Sequence, residues 1–294
     1  MASDTDRNED TAAAPPSRLL ATTVWDAVPA LLGLVHFGCV AVLVGLFPTL
    51  SPPAFLALAL LYAIAIAWNI HSVSHNLIHN PFFASGALNR VFSVMLSLTL
   101  SYPQVVIRYV HLRHHIGNMD RPNDQGETRD LLSIYRHGRS GGPESLWTYC
   151  PLIVLRTDPV RLRPAIAAWN SGEGRWATAE LALIGLSLLA ALAWDWRVVP
   201  ALLPFWLLGH ILSALTNYYE HLGADPSRPI AWGVSSYGRL YNWLWLNNGY
   251  HAEHHFRTKA HWRTMKALHQ QIAEKQRAAG TKVLSWPHPL GFLG

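Results

Sequence analysis

Four stretches of the chain are almost free of polar side chains: Val24 to Phe47, Ala54 to Ile70, Trp176 to Trp194, and Val198 to Thr216. Each approaches the roughly 20 apolar residues an α-helix needs to cross a hydrocarbon core, so the pattern predicts four transmembrane helices. They fall in two pairs with short tips rich in helix breakers, Pro48, Pro52 and Pro53 in the first and Asp195, Arg197 and Pro200 in the second. The expected fold is therefore an all-α integral membrane protein with four transmembrane helices in two hairpins. Between the pairs, Leu88, Val91, Phe92, Met95 and Leu96 recur at helical spacing. That predicts a further helix, lying in the membrane surface or packed in a core. Gly117 to Gly142 has no period and is rich in Asp, Asn, Gly and Arg, which reads as a solvated loop. Residues 1–18, polar and carrying Pro15 and Pro16, read as a disordered tail. No repeat or linker marks a second domain, so 19–294 is expected to form one membrane domain.

Composition agrees with a bilayer. Only 14% of the 294 residues are charged, against about a quarter in soluble domains. Of the 23 basic residues, two precede the first span, ten lie between Ser72 and Gly174, and nine follow Tyr218. Positive loops stay inside, so both termini and the central segment are expected in the cytoplasm. The first apolar stretch is too long for a signal-peptide core and no small-residue cleavage pattern follows it. Arginine outnumbers lysine 19 to 4, which suggests a GC-rich bacterial genome and hence a bacterial inner membrane. The net charge of +5 is explained by this topology and by anionic lipid, and no nucleic-acid partner is expected. Cys39 falls in a span and Cys150 on the cytoplasmic side, which argues against a disulfide. Trp243, Trp245, Trp262 and Tyr250 offer interfacial anchors or core residues.

The sixteen histidines change the picture most. They concentrate in His71-Ser-Val-Ser-His75-Asn-Leu-Ile-His79, in His111-Leu-Arg-His114-His115, in Asn217-Tyr-Tyr-Glu220-His221, and in His251-Ala-Glu-His254-His255. On a helix, positions i, i+3 and i+4 share a face, so each HxxHH segment can present up to three imidazoles to one cavity. Neutral imidazole suits iron, zinc, copper or nickel. Nine such ligands exceed the need of one ion and match two, with Asn217 placed to hold a water at an open position. All the clusters fall on the same side of the membrane in a topology assigned from arginine and lysine. Glu220 and Glu253 read either as partners that orient ligand imidazoles or as exposed charges at helix ends. His36 and His210 lie within spans, where hydrogen-bonded packing is the expected role. His137, His261, His269 and His288 are expected to be solvated or interfacial.

At these residues the sequence resembles the membrane fatty acid desaturase and hydroxylase superfamily, whose members carry HxxxH or HxxxxH, HxxHH or HxxxHH, and HxxHH boxes. The resemblance covers about Ala54 to His255. It implies a cytoplasmic helical cap that carries the boxes around a non-haem di-iron centre, with dioxygen as co-substrate. His75 and His79, followed by Asn-Pro-Phe-Phe, look like the first box, although His71 with His75 also forms HxxxH. The other boxes carry over as His111, His114, His115, His251, His254 and His255, with His221 as the ligand outside them. Asn217-Tyr-Tyr-Glu-His-Leu-Gly is similar to a stretch of alkane-hydroxylase-like members, whereas an HxxHH second box is commoner among acyl desaturases, so both reactions stay open. The implied reaction is oxidation of an unactivated C–H bond in a fatty acyl or similar hydrocarbon chain. Its electrons would come from an external donor such as ferredoxin or rubredoxin, since no flavin fingerprint or ferredoxin cysteine set is present. A membrane zinc hydrolase would not need nine histidines. A metal transporter would place its ligands near the middle of the spans.

Overall fold

The computed structural model describes residues 19–116 and 120–294. The tail expected at 1–18 lies outside the described residues, as do 117–119 at the start of the expected loop. Helices α1 (Ala27–Leu46), α2 (Pro52–Asn69), α3 (His75–His79), α4 (Gly86–Leu100), α5 (Gln104–His114) and α6 (Leu146–Arg156) form the first half. Helices α7 (Pro159–Trp169), α8 (Ser171–Trp194), α9 (Val198–His221), α10 (Arg239–Leu244), α11 (His251–Phe256) and α12 (Met265–Ala278) form the second. Strands β1 (Ser235–Ser236) and β2 (Val283–Leu284) pair in parallel.

Four helical runs are long and apolar enough to cross a membrane: Val24–Thr49, Pro52–His79, Ser171–Trp194 and Val198–His221. They coincide with the four expected spans, but the second and fourth continue past their expected ends at Ile70 and Thr216. The first histidine cluster and His221 are thus the last turns of apolar helices. Their starts follow local chemistry. Thr23 and Asp26 form a capping box ahead of α1, prolines occupy the first turn of α2, and the Asn170 side chain accepts the Glu173 N–H at the start of α8. Between α2 and α3 the helix widens into a π turn at Ile70–Ser74.

The apolar pair α4 and α5 is bent by 99°. Ser101 ends α4 in the left-handed region at φ 46°, and Pro103 precedes α5 and has no N–H to continue the ladder. Of the free N–H groups at the start of α5, that of Gln104 is taken by Ser97 Oγ at 2.8 Å and that of Val105 by Oε2 of the buried Glu180 on α8 at 2.9 Å. The helix predicted from Leu88 to Leu96 is α4, with Phe92 and Leu96 buried and Leu88 and Val91 exposed.

Helices α2 and α9 run side by side in the same direction. Phe55 meets Phe205 near their starts with ring centroids 5.9 Å apart, and His71 meets Ser213 near their ends. Gly209 permits this approach, because a Cβ there would stand 2.7 Å from the Ala63 carbonyl oxygen. Outward faces of the spans keep Leu31, Leu34, Leu61, Ile64, Leu186 and Leu189 exposed, an apolar belt that suits lipid. Among the aromatics after the fourth span, Trp243 is exposed while Tyr250 packs in a core with Met265, Leu268 and Ile272. Cys39 and Cys150 are both free.

Candidate metal centre

The ends of α3, α5 and α9 converge on the short helix α11, and nine imidazoles meet there in two groups. His75, His79, His111, His115 and His254 form one, and His114, His221, His251 and His255 the other, with candidate ligand atoms within 4.8 Å of one another in each group. Each HxxHH segment is divided between them. His111 and His115, one turn apart, enter the first group and His114 the second; His251 and His255 enter the second and His254 the first. The spacing therefore serves two sites rather than the single cavity expected for each segment, because the i+3 residue is rotated off the line that joins i and i+4. His115 and His255 form the seam, with ring centroids 4.4 Å apart.

His71 stays outside both groups. Its Nε2 lies 3.0 Å from the Ser213 carbonyl oxygen and its Nδ1 3.4 Å from Glu220. His71 lies one turn earlier, in the π turn Ile70–Ser74, where its ring is held by Ser213 and Glu220 on α9 instead of reaching the other imidazoles.

The ring nitrogens are packed in a way that hydrogen bonding cannot satisfy. In the first group Nε2 of His254 lies 2.9 Å from that of His75 and 3.1 Å from that of His115. Nε2 of His111 lies 2.7 Å from that of His79 and 2.9 Å from that of His115. In the second, Nε2 of His251 is 3.0 Å from those of His221 and His255. One imidazole nitrogen carries either a proton or a lone pair, so it cannot bond fully to two such neighbours. A shared cation resolves this: ligands held at about 2.1 Å and at right angles are roughly 3.0 Å apart. Nε2 of His114 is buried with no hydrogen-bond partner while its Nδ1 is held by Asp130, which leaves a lone pair free for a metal. Burial first, and neighbouring imidazoles second, hold His115, His254 and His255 well below the ordinary histidine pKa. Burial does the same for His251 against the opposing pull of Glu220. The four are therefore neutral near pH 7, the form that ligates. The nine side chains fit two metal ions.

Several supporting groups escaped the sequence. Asp130 sits 2.7 Å from His114 Nδ1, and the pair is 1% and 2% exposed. It lies in the stretch read as a solvated loop, where periodicity carries no signal. Trp232, 1% exposed, lays its ring 4.5 Å from that of His255. Asn248 donates to Glu220 at 2.7 Å. Glu220 is buried and stands 3.8 Å from His251 Nδ1, so it is not an exposed helix-end charge. Glu253 is fully buried as well, but it touches no clustered imidazole: it accepts from Ser235, Tyr237 and His269. His288, expected to be solvated or interfacial, is fully buried, with Tyr241 on one nitrogen and the Val234 carbonyl on the other. The reason is the C-terminal segment, which packs back on α9 so that Gly291 rests against the Tyr219 ring. His261 and His269 are partly buried and paired with Asp26 and Glu253, whereas His137 is exposed. His36 hydrogen-bonds Asn69 at 3.0 Å. Asn217 gives its amide to Tyr149 at 2.7 Å and to the Leu132 carbonyl.

A cavity of ≈ 120 Å³ opens against both groups. His75, His111, His114 and His251 face it, and Ile70, Ile107, Ile153 and Val154 line its apolar wall. Asn217 belongs to the same wall.

In a comparison with protein families, the model described as fatty acid desaturase matches residues 50–286, which take in three of the four spans and all nine histidines. A comparison with curated proteins returns no match.

Proposed function

Because the chain belongs to the fatty acid desaturase family, we propose that it is an oxygen-dependent di-iron oxidase of the membrane that introduces a double bond into a fatty acyl or similar lipid chain. The observation that carries this reading is the convergence of nine ring nitrogens in two groups beside an apolar cavity. His75, His79, His111, His115 and His254 would hold one iron and His114, His221, His251 and His255 the other, with a water beside Asn217 completing the second. Bound there, iron supplies activation of dioxygen for attack on an unactivated C–H bond. Of the chain's own residues, Asp130 fixes the His114 ring by a hydrogen bond, Glu220 places its charge 3.8 Å from His251 Nδ1, and Trp232 covers the His255 ring. The apolar wall orients the hydrocarbon against the metal groups and keeps bulk water out. Electrons would come from a ferredoxin or rubredoxin on the cytoplasmic side, where the arginine and lysine distribution puts both termini and the site. Hydroxylation is the second outcome, motivated by the Asn217-to-Gly223 segment.

Purified chain is expected to hold about two irons and, with a ferredoxin and its reductase, to shift a lipid by a loss of two mass units. A gain of sixteen would mean hydroxylation. Protein that binds one zinc and no iron, or that leaves every lipid unchanged, overturns the proposal.

A further inference from the structure

The cavity is not uniformly apolar. One wall is a polar stripe on α9, formed by His210, Ser213, Asn217 and Glu220. Successive steps of three, four and three residues keep these side chains on one face of the helix. From Glu220, beside the metal groups, to His210 the stripe descends ten residues, or about 15 Å along the axis. A plain hydrocarbon chain gains nothing from such a stripe, and polar groups inside a span are costly unless they are used.

Three of the four are satisfied within the protein. Ser213 meets His71, Asn217 bonds Tyr149, and Glu220 takes Asn248. His210 is the exception. It is 8% exposed and its Nε2 is buried with no hydrogen-bond partner among the described residues. The backbone acceptor acting on the ring, the Leu100 carbonyl, is shared with the Trp206 indole N–H, which it takes at 2.9 Å. Tyr102, whose ring centroid is 5.4 Å from that of His210, spends its hydroxyl on the Thr157 carbonyl. An imidazole left underbonded at the end of the cavity away from the metal groups is a recognition point for one polar atom.

We propose that His210 selects the substrate. The lipid that fits is a neutral hydrocarbon bearing a hydroxyl or carbonyl oxygen, which seats against the imidazole while the C–H to be oxidised lies beside the metal groups. A charged headgroup does not belong there, because among the described residues no charged side chain lines that end of the cavity. The inference rests on the oxidase reading for its reacting end, but its binding claim stands apart from that reading.

The test uses the full iron-loaded chain in detergent, with dodecanol, dodecyl methyl ketone and dodecane as probes. Partition into micelles is the same for every protein variant, so the ratio of dissociation constants between variant and wild type isolates the site. In His210→Leu the affinities for dodecanol and the ketone are expected to fall about tenfold while dodecane is held equally or better, and His210→Gln is expected to restore most of the loss. Wild-type protein gives a second readout that needs no variant: the infrared carbonyl stretch of the bound ketone shifts down from its value in hydrocarbon. Equal losses for dodecane and dodecanol, or an unshifted carbonyl, overturn the proposal and leave the stripe to solvent. Absence of iron or of any oxidised product would sink the oxidase reading instead, and the infrared measurement is independent of both.

Discussion

Asp130 illustrates how a single side chain outside the histidine boxes governs the site. Its carboxylate holds Nδ1 of His114 at 2.7 Å while its other oxygen accepts the Leu132 N–H, so it fixes both the ring and the tautomer that leaves Nε2 free. Partners of this kind are worth about 10- to 100-fold in metal affinity. Asp130→Ala is expected to release iron from the second group at a chelator concentration that wild type withstands, measured as iron per chain after dialysis. Retention equal to wild type would show that packing alone orients His114. The alternative left open by HxxxH spacing is decided by the same assay. His79→Asn is expected to lose metal from the first group, whereas His71→Asn, bonded to Ser213 and Glu220 instead, keeps its full content. Identical losses in the two variants would refute the assignment. Spacing does not separate these residues, since His71, His75 and His79 are evenly spaced and only the Asn-Pro-Phe-Phe after His79 favours it through the resemblance, while Asp130 sits among other loop aspartates. Their difference lies in tertiary contacts, of His71 with Ser213 and Glu220 and of Asp130 with His114.

At the scale of elements, what was legible is what depends on local pattern. Four apolar runs predict four long helices, and the boxes mark where imidazoles gather. Three features have no such pattern: the 99° elbow between α4 and α5, the division of each HxxHH segment between two groups, and the C-terminal return that buries His288. The elbow depends on Ser101 at positive φ and on Glu180, which is distant in sequence but caps α5. The close contact of α2 with α9 is equally non-local, and the two helical runs it joins end in His75 and His79 of the first group and His221 of the second. Gly209 has no room for a side chain there, its nearest neighbours being the Ala63 carbonyl oxygen and the Ile66 side chain. Gly209→Val must push two spans apart, at a cost of about 1–3 kcal/mol typical of overpacking. The variant is expected to melt at lower temperature in detergent and to bind less iron, while Gly185→Val, which meets nothing within 4 Å, changes neither. A Gly209→Val protein with the wild-type midpoint would mean that α2 and α9 are not closely packed.

For the whole molecule, folding and metal binding share one set of neutral imidazoles, and this sets how stability depends on pH. In the folded chain His115, His251, His254 and His255 titrate well below 6.5, chiefly because burial penalises the charged form. In the unfolded chain they titrate near 6.5. Above that value neither state holds the protons and the four contribute no pH dependence. As pH falls below it, the unfolded chain takes up protons that the folded chain refuses, and stability declines by up to about 1.4 kcal/mol per pH unit for each imidazole. Metal-free protein is therefore expected to show a falling melting midpoint between about pH 6.5 and pH 5, and His254→Phe to flatten the fall by one proton. Iron binds only where the imidazoles are folded together, so loading raises the midpoint across this range by mass action. The proton-driven decline persists in the loaded protein, because bound imidazoles refuse protons as buried ones do. A metal-free midpoint indifferent to pH would mean that these side chains are solvated until metal arrives, and that the nine nitrogens are assembled by the ions rather than by the fold.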